Sequence, residues 1–276
     1  MNTQNMDAGK LIEEFYKEGS YQELKVYEKH LDDLKVIIRE ELQQNNEVRY
    51  EFKDIGYVAK WRKVPKYETD YPSLNEYLHN LGLLIPSAKI TYRGLPEDVK
   101  LDLTPFELPS EWSVGIYPNK KGRVTVEPLP IGSIDKFNLN KKMRMYAKMD
   151  REKQFVSIQY ENLKKQMLNC PVLKEEKKIM HEYGSVSLKE KKTGYDLESI
   201  LEWLGEEFLI EYAKPNHEKL EEYIVRGIIQ QSDIQTFRRV VDIRLDFMIQ
   251  TVDSENRMLD FFAQKRNNMI EMSLIS

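Results

Sequence analysis

Gly56-Tyr57-Val58-Ala59-Lys60-Trp61-Arg62-Lys63-Val64-Pro65-Lys66-Tyr67 opens the stretch, running on to Leu103, whose reading decides the fold. Its β-branched and aromatic residues predict a strand, and the preceding Lys53-Asp54-Ile55-Gly56 predicts a turn that folds it back on Val48 to Phe52. Asp70 and Ser73 then stand ahead of Leu74, Glu76, Tyr77 and Leu78, the signature of a short capped helix. The cap works because an Asp carboxylate takes up amide groups that a helix start leaves unpaired. Gly82 stops this helix, and Val99-Lys100-Leu101-Asp102-Leu103 reads as a closing strand.

The same order recurs further along. Gly184, Ser185 and Val186 lead through Lys189, Lys191 and Lys192 to Tyr195 and Asp196, then to Ile200, Glu202, Trp203 and Leu204. Leu74, Glu76, Tyr77, Leu78 and Gly82 also resemble Leu220, Glu222, Tyr223, Ile224 and Gly227, and Ile243 to Phe247 resembles the closing strand. Because the offset grows between these matches, the second copy carries an insertion of about twenty residues, an extra helix and linker, expected to loop out near Gly205 to Pro215. One mismatch stands against the alignment. With Gly56 set on Gly184, Val186 and Leu188 fall out of phase with Tyr57, Ala59 and Trp61, and a slip of one residue moves every side chain to the other side of a strand.

Working outward, Lys10 to Asn45 predicts one long helix with Leu24, Tyr27, Leu31, Leu34 and Ile38 at alternating spacings of three and four. That is a coiled-coil seam, closed either by the same chain or by a second copy. Lys89 to Leu103 reads as two strand pieces broken at Gly94-Leu95-Pro96, and Trp112 to Glu127 as a second hairpin turning at Pro118 to Gly122. Ile134 to Asn169 predicts another long charged helix, interrupted by Pro171, which opens a shorter piece ending near Tyr183. Phe237 to Ile249 fits both periods and is read as strand. Asp253 to Met272 is a closing helix with Met258, Phe261, Phe262 and Met269 toward the core. The expected class is α+β: two related helix, hairpin, helix, strand units with long, partly coiled-coil helices. Residues 1–105 form the first unit, 106–133 a connecting hairpin, and 134–276 the second unit.

The 276 residues are 41% apolar and 32% charged, the balance of a soluble protein with many exposed helices. No run has the apolar length of a membrane span, and Met1 to Lys10 is polar without a signal-peptide core, so the expected location is the cytoplasm. Cys170 stands alone, which excludes an internal disulfide and a cysteine metal cluster and makes it a core residue at a helix end. His30, His79, His181 and His217 show no ligand spacing, and neither a Gly-rich phosphate loop nor a nucleophile elbow is present. The chain is therefore expected to need no cofactor and to be no enzyme, the open alternative being a metal-dependent nuclease assembled from Asp and Glu residues distant in the sequence.

With a net charge of −4, any nucleic-acid binding must come from a local patch. Arg49, Lys60, Trp61, Arg62, Lys63 and Lys66 supply one, since stacking on an aromatic plus phosphate contacts holds single strands without sequence readout. Lys120, Lys121 and Arg123 at the second hairpin tip are further candidates. The other reading is that these cations defend an exposed strand edge while Trp61 plugs the core.

The order of a long charged helix, a hairpin, the junctions Lys66-Tyr67 with Asp70 and Tyr195-Asp196, and a short Leu-rich helix resembles bacteriophage-encoded proteins grouped with host-nuclease inhibitors and recombination accessory factors. The resemblance implies an interaction protein in a bacterial host cell that binds and modulates a defence or DNA-processing enzyme, with no catalytic residues. An accessory factor binding nucleic acid is the alternative it implies. The Leu24 to Ile38 seam adds the expectation of a homo-oligomer.

Overall fold

The computed structural model describes residues 7–45 and 47–275. It is 55% helical and 22% strand, which places it in the α+β class. In chain order the elements are α1 (Ala8–Lys17), α2 (Ser20–Leu42), β1 (Arg49–Phe52), β2 (Tyr57–Thr69), α3 (Tyr71–Asn80), α4 (Leu84–Ser87), β3 (Ala88–Lys89), α5 (Glu97–Leu103) and β4 (Glu111–Pro118). The second half continues with α6 (Ile131–Ile134), α7 (Leu139–Leu168), α8 (Pro171–Glu176), β5 (Lys178–His181), β6 (Gly184–Lys191), α9 (Leu197–Leu204) and α10 (Glu206–Tyr212). It closes with β7 (Lys214–Pro215), α11 (His217–Val225), α12 (Gln231–Thr236), β8 (Arg238–Thr251) and α13 (Val252–Ile275).

Contacts divide the chain into two compact units, each drawn from both halves of the sequence. Unit 1 comprises residues 1–60, 111–191 and 247–251; unit 2 comprises 61–110, 192–246 and 252–276.

Unit 1 is built on α2 and α7. Tyr21 lies 6.0 Å from Tyr160 by ring centroids, and Lys142 Nζ donates to Glu41 at 2.6 Å, so the two helices run antiparallel. Between those contacts Leu31, Leu34 and Ile38 are buried. The predicted seam is thus closed by α7 of the same chain, which removes it as an exposed dimer surface. The single helix expected from Lys10 to Asn45 is two helices, because Gly19 adopts φ +82° and turns the chain between α1 and α2. Ala8, Ile12 and Phe15 of α1 join Leu24, Val156, Met167, Cys170 and Leu173 in one apolar cluster. The charge now expected for Leu31→Glu is loss of cooperative folding, since a carboxylate there loses its water without gaining a partner. Circular dichroism with light scattering checks this: a well-folded Leu31→Glu monomer contradicts the intrachain seam.

Two three-stranded sheets have the same order. In one, β2 lies between β1 and β8; in the other, β6 lies between β5 and β4. Each therefore combines a hairpin with a third strand from the other half of the chain. The expected hairpin from Trp112 to Glu127 does not form: β4 pairs antiparallel with β6, from Glu111 opposite Lys191 to Pro118 opposite Gly184, and residues 123–130 contain no strand. The turn itself is present, with the side-chain Oδ1 of Asn119 accepting from the Lys121 and Gly122 amides at 2.8 and 3.0 Å. Residues 178–181 are strand β5 where helix was expected, since α8 ends at Lys177 in a left-handed conformation, φ +61°.

The two hairpins are set one residue out of phase with the sequence match. The hairpins close with Phe52 opposite Tyr57 and His181 opposite Gly184, and the buried triplets are Tyr57-Val58-Ala59 and Gly184-Ser185-Val186. Tyr57 thus corresponds to Gly184, one residue from the Gly56 match. In that register Ala59 and Trp61 fall on Val186 and Leu188.

Unit 2 is assembled from short helices around Leu74, Leu78, Leu84, Ile200, Leu209 and Leu220. Asp70 caps α3, accepting from Ser73 N at 3.3 Å and Ser73 Oγ at 2.7 Å. Asp196 caps α9 in the same way through Ser199 N and Oγ, at 3.4 and 2.7 Å. The two caps are tied reciprocally: Asp70 N donates to the Phe237 carbonyl and Asp196 N to the Phe106 carbonyl, both at 2.9 Å. Val99 to Leu103 is helix α5, not strand. Val99 and Leu103 are buried one helical turn apart, Leu101 is 74% exposed, and Glu97 and Asp98 occupy the first turn, where carboxylates suit the helix dipole. Gly205 to Pro215 does not loop out. It forms α10 and β7, with Leu209 and Ala213 buried and β7 paired to β3, while buried Asn75 donates to the Ile210 and Ala213 carbonyls at 2.8 and 2.7 Å. Residues 238–251 are strand, as read.

Candidate interaction surface

The predicted basic stretch lies on β1 and β2. Arg49 sits opposite Lys60 in the ladder and pairs with Glu51 at 2.9 Å, while Lys60 and Trp61 are half-buried. Arg62, Lys63 and Lys66 are exposed, with Arg62 4.0 Å from Asp246 of β8. Arg238 lays its guanidinium 3.3 Å from the centre of the Tyr67 ring, and burial pulls its pKa below the usual guanidinium value. Arg239 is paired with Glu68, and Arg244 with Asp246 at 2.6 Å. Along β2 and β8 in unit 2 the cations thus alternate with carboxylates, which lowers the local positive potential that a phosphate backbone requires.

Lys120 and Arg123 are exposed in unit 1, in the connection after β4. Lys121 pairs with Glu182 and stands 5.4 Å from the Tyr183 ring centre. The hydrogen bond and charge of Lys121 lower the Glu182 pKa, as expected for a carboxylate next to a cation. The interface candidates Leu24, Leu31, Leu34 and Ile38 are buried, and Tyr27 is half-buried.

Unit 2 presents apolar surface on β8 and α13. On β8, Val240, Val241, Ile243 and Leu245 are 47 to 59% exposed, and on α13 Leu259, Phe261 and Phe262 are 56 to 60% exposed. Phe261 and Phe262 were expected in the core. They are consecutive, so a helix rotates them about 100° apart and one narrow core stripe cannot hold both. Met258 is half-buried, and the side chain of Met269 lies outside the described residues. Phe262 lines a cavity of about 470 Å³ with Ile224 and Val225 of α11 and with Lys265 and Arg266. The ring centroids of Phe261 and Phe262 lie 5.7 Å apart in an edge-on arrangement.

Among the described residues no group of three or more His, Cys, Asp or Glu side chains is placed to hold a metal ion, and no helix is long and apolar enough to cross a membrane. No protein-family model, no curated protein and no solved structure matches the chain.

Proposed function

We propose that this chain is a non-enzymatic interaction protein whose partner is another protein, docked on the aromatic surface of α13. The observation that carries the reading is the exposure of Leu259, Phe261 and Phe262 beside the cavity lined by Ile224 and Val225. Exposed aromatic anchors next to an apolar depression have the composition of binding hot spots. Lys265, which lies 4.0 Å from Glu218, and Arg266 share the cavity lining with Glu221, so the apolar anchors and not net charge carry the recognition. The resemblance to phage-encoded inhibitors and accessory factors supports a bacterial DNA-processing or defence enzyme as that partner. The shared order of the two sheets supports reading the chain as a duplicated unit.

Phe262→Glu should leave helical content intact, because its side chain is already in water, and weaken capture by at least 2 kcal/mol, about thirtyfold. The test is a parallel pull-down from bacterial lysate with wild type and Phe262→Glu, read by mass spectrometry. A partner retained by wild type and lost by the variant supports the reading. Equal retention by both, or no partner together with turnover of a nucleic-acid substrate, contradicts it. The alternative of a nucleic-acid accessory factor is the weaker one, given the carboxylates interleaved along β2 and β8.

A further inference from the structure

Among the described residues strand β8 ends its sheet, with β2 as its one neighbouring strand. Such edges are normally blunted by proline, bulges or very short length, because their unpaired amides and carbonyls are a template for another strand. β8 is 14 residues long, contains no proline, and carries Val240, Val241, Ile243 and Leu245 in solvent. The amide of Ile243 donates to the carboxylate of its neighbour Asp242 at 2.8 Å.

The geometry points to a second copy of this chain as the occupant of that edge, with the two β8 strands antiparallel about a two-fold axis at Ile243. The sequence 241–245, Val-Asp-Ile-Arg-Leu, is self-complementary in this register. Ile243 meets the second copy's Ile243, Val241 meets its Leu245, and Asp242 meets its Arg244, the last two contacts occurring twice by symmetry. Directly opposed side chains across such a ladder interact, so Asp242 and Arg244 meet as opposite charges. Val241, Ile243 and Leu245 of both strands form one continuous apolar patch on the same side of the ribbon. Moving the axis to Val241 would set Arg238 against Arg244, and moving it to Leu245 would bring buried Phe247 into the pairing. The exposed segment therefore selects Ile243. This inference goes beyond the partner proposed above and uses none of the α13 side chains that the proposal needs.

Charge exchange at full chain length provides the test. Sedimentation velocity at high micromolar concentration should show wild type at twice the 32.8 kDa chain mass. Asp242→Arg and Arg244→Asp should each run as monomers, because each sets like charges opposite one another twice. Mixing the two variants in equal amounts should restore a dimer, since every 242–244 contact then joins Arg to Asp. As an independent readout, Ile243→Cys should form an intermolecular disulfide on mild oxidation, because directly opposed residues on the axis bring their α-carbons to about 4.5 to 5.5 Å. Val240→Cys should not. A monomeric wild type overturns the inference, as does a dimer that both charge variants retain or monomeric variants that mixing does not rejoin. Loss of the dimer with capture through α13 intact separates this surface from that one.

Discussion

Gly184→Ala should remove a large share of the stability of unit 1. Gly184 has φ +149°, and a Cβ there would stand 2.1 Å from the Tyr117 carbonyl oxygen and 2.9 Å from the Pro118 Cα, both backbone atoms that no rotamer change can withdraw. The residue joins two ladders, pairing with His181 in the hairpin and with Pro118 of β4. Backbone strain of roughly 1 to 3 kcal/mol adds to overpacking of similar size, a large share of the roughly 5 to 15 kcal/mol that holds a domain folded. Chemical denaturation should place the loss at about 3 to 5 kcal/mol. Gly132→Ala is the control: nothing lies within 4 Å of its Cβ, so a change within about 0.5 kcal/mol is expected. Equal midpoints for the two variants would mean that β4 does not cross so close to Gly184.

What the sequence made legible was local. Asp70 and Asp196 cap their helices because the chemistry involves residues at most three positions away, and Pro171 opens α8 for the same reason. The burial of Leu24, Leu31, Leu34 and Ile38 was readable from their spacing, whereas the identity of the covering helix was not, since α7 begins about a hundred residues later. The misreadings share that cause. β4 alternates like a hairpin arm, and nothing near it in sequence says that its partner is β6. Val99 to Leu103 fits a strand period over five residues, and only the burial of Val99 with Leu103 shows that the helical period won. On β8 the alternation of apolar and charged residues was visible, but which side met a core depended on tertiary placement, and both sides of 240–245 are in solvent. The cations of the basic stretch were read without the carboxylates that pairing with β8 brings beside them.

Exchange of the third strand makes the two halves of the chain interdependent. A cut between Glu127 and Pro128, both exposed and outside any helix or strand, leaves the N-terminal fragment with α2 but not α7 and with β4 but not β6. The C-terminal fragment keeps the β5–β6 hairpin but lacks β4, and its β8 has lost β2. The unpaired strands would expose their amides and carbonyls and the helices their apolar seam. Neither fragment can bury enough to offset the entropy of ordering. The central claim is that each half supplies the strand that completes the other's sheet, and the most direct measurement of it is amide hydrogen exchange on the two purified fragments, alone and mixed. The expected result is fast exchange across β2, β4, β6 and β8 in each fragment alone and slow exchange in all four strands after mixing. Protected β6 in the isolated C-terminal fragment, or protected β2 in the isolated N-terminal one, would contradict it.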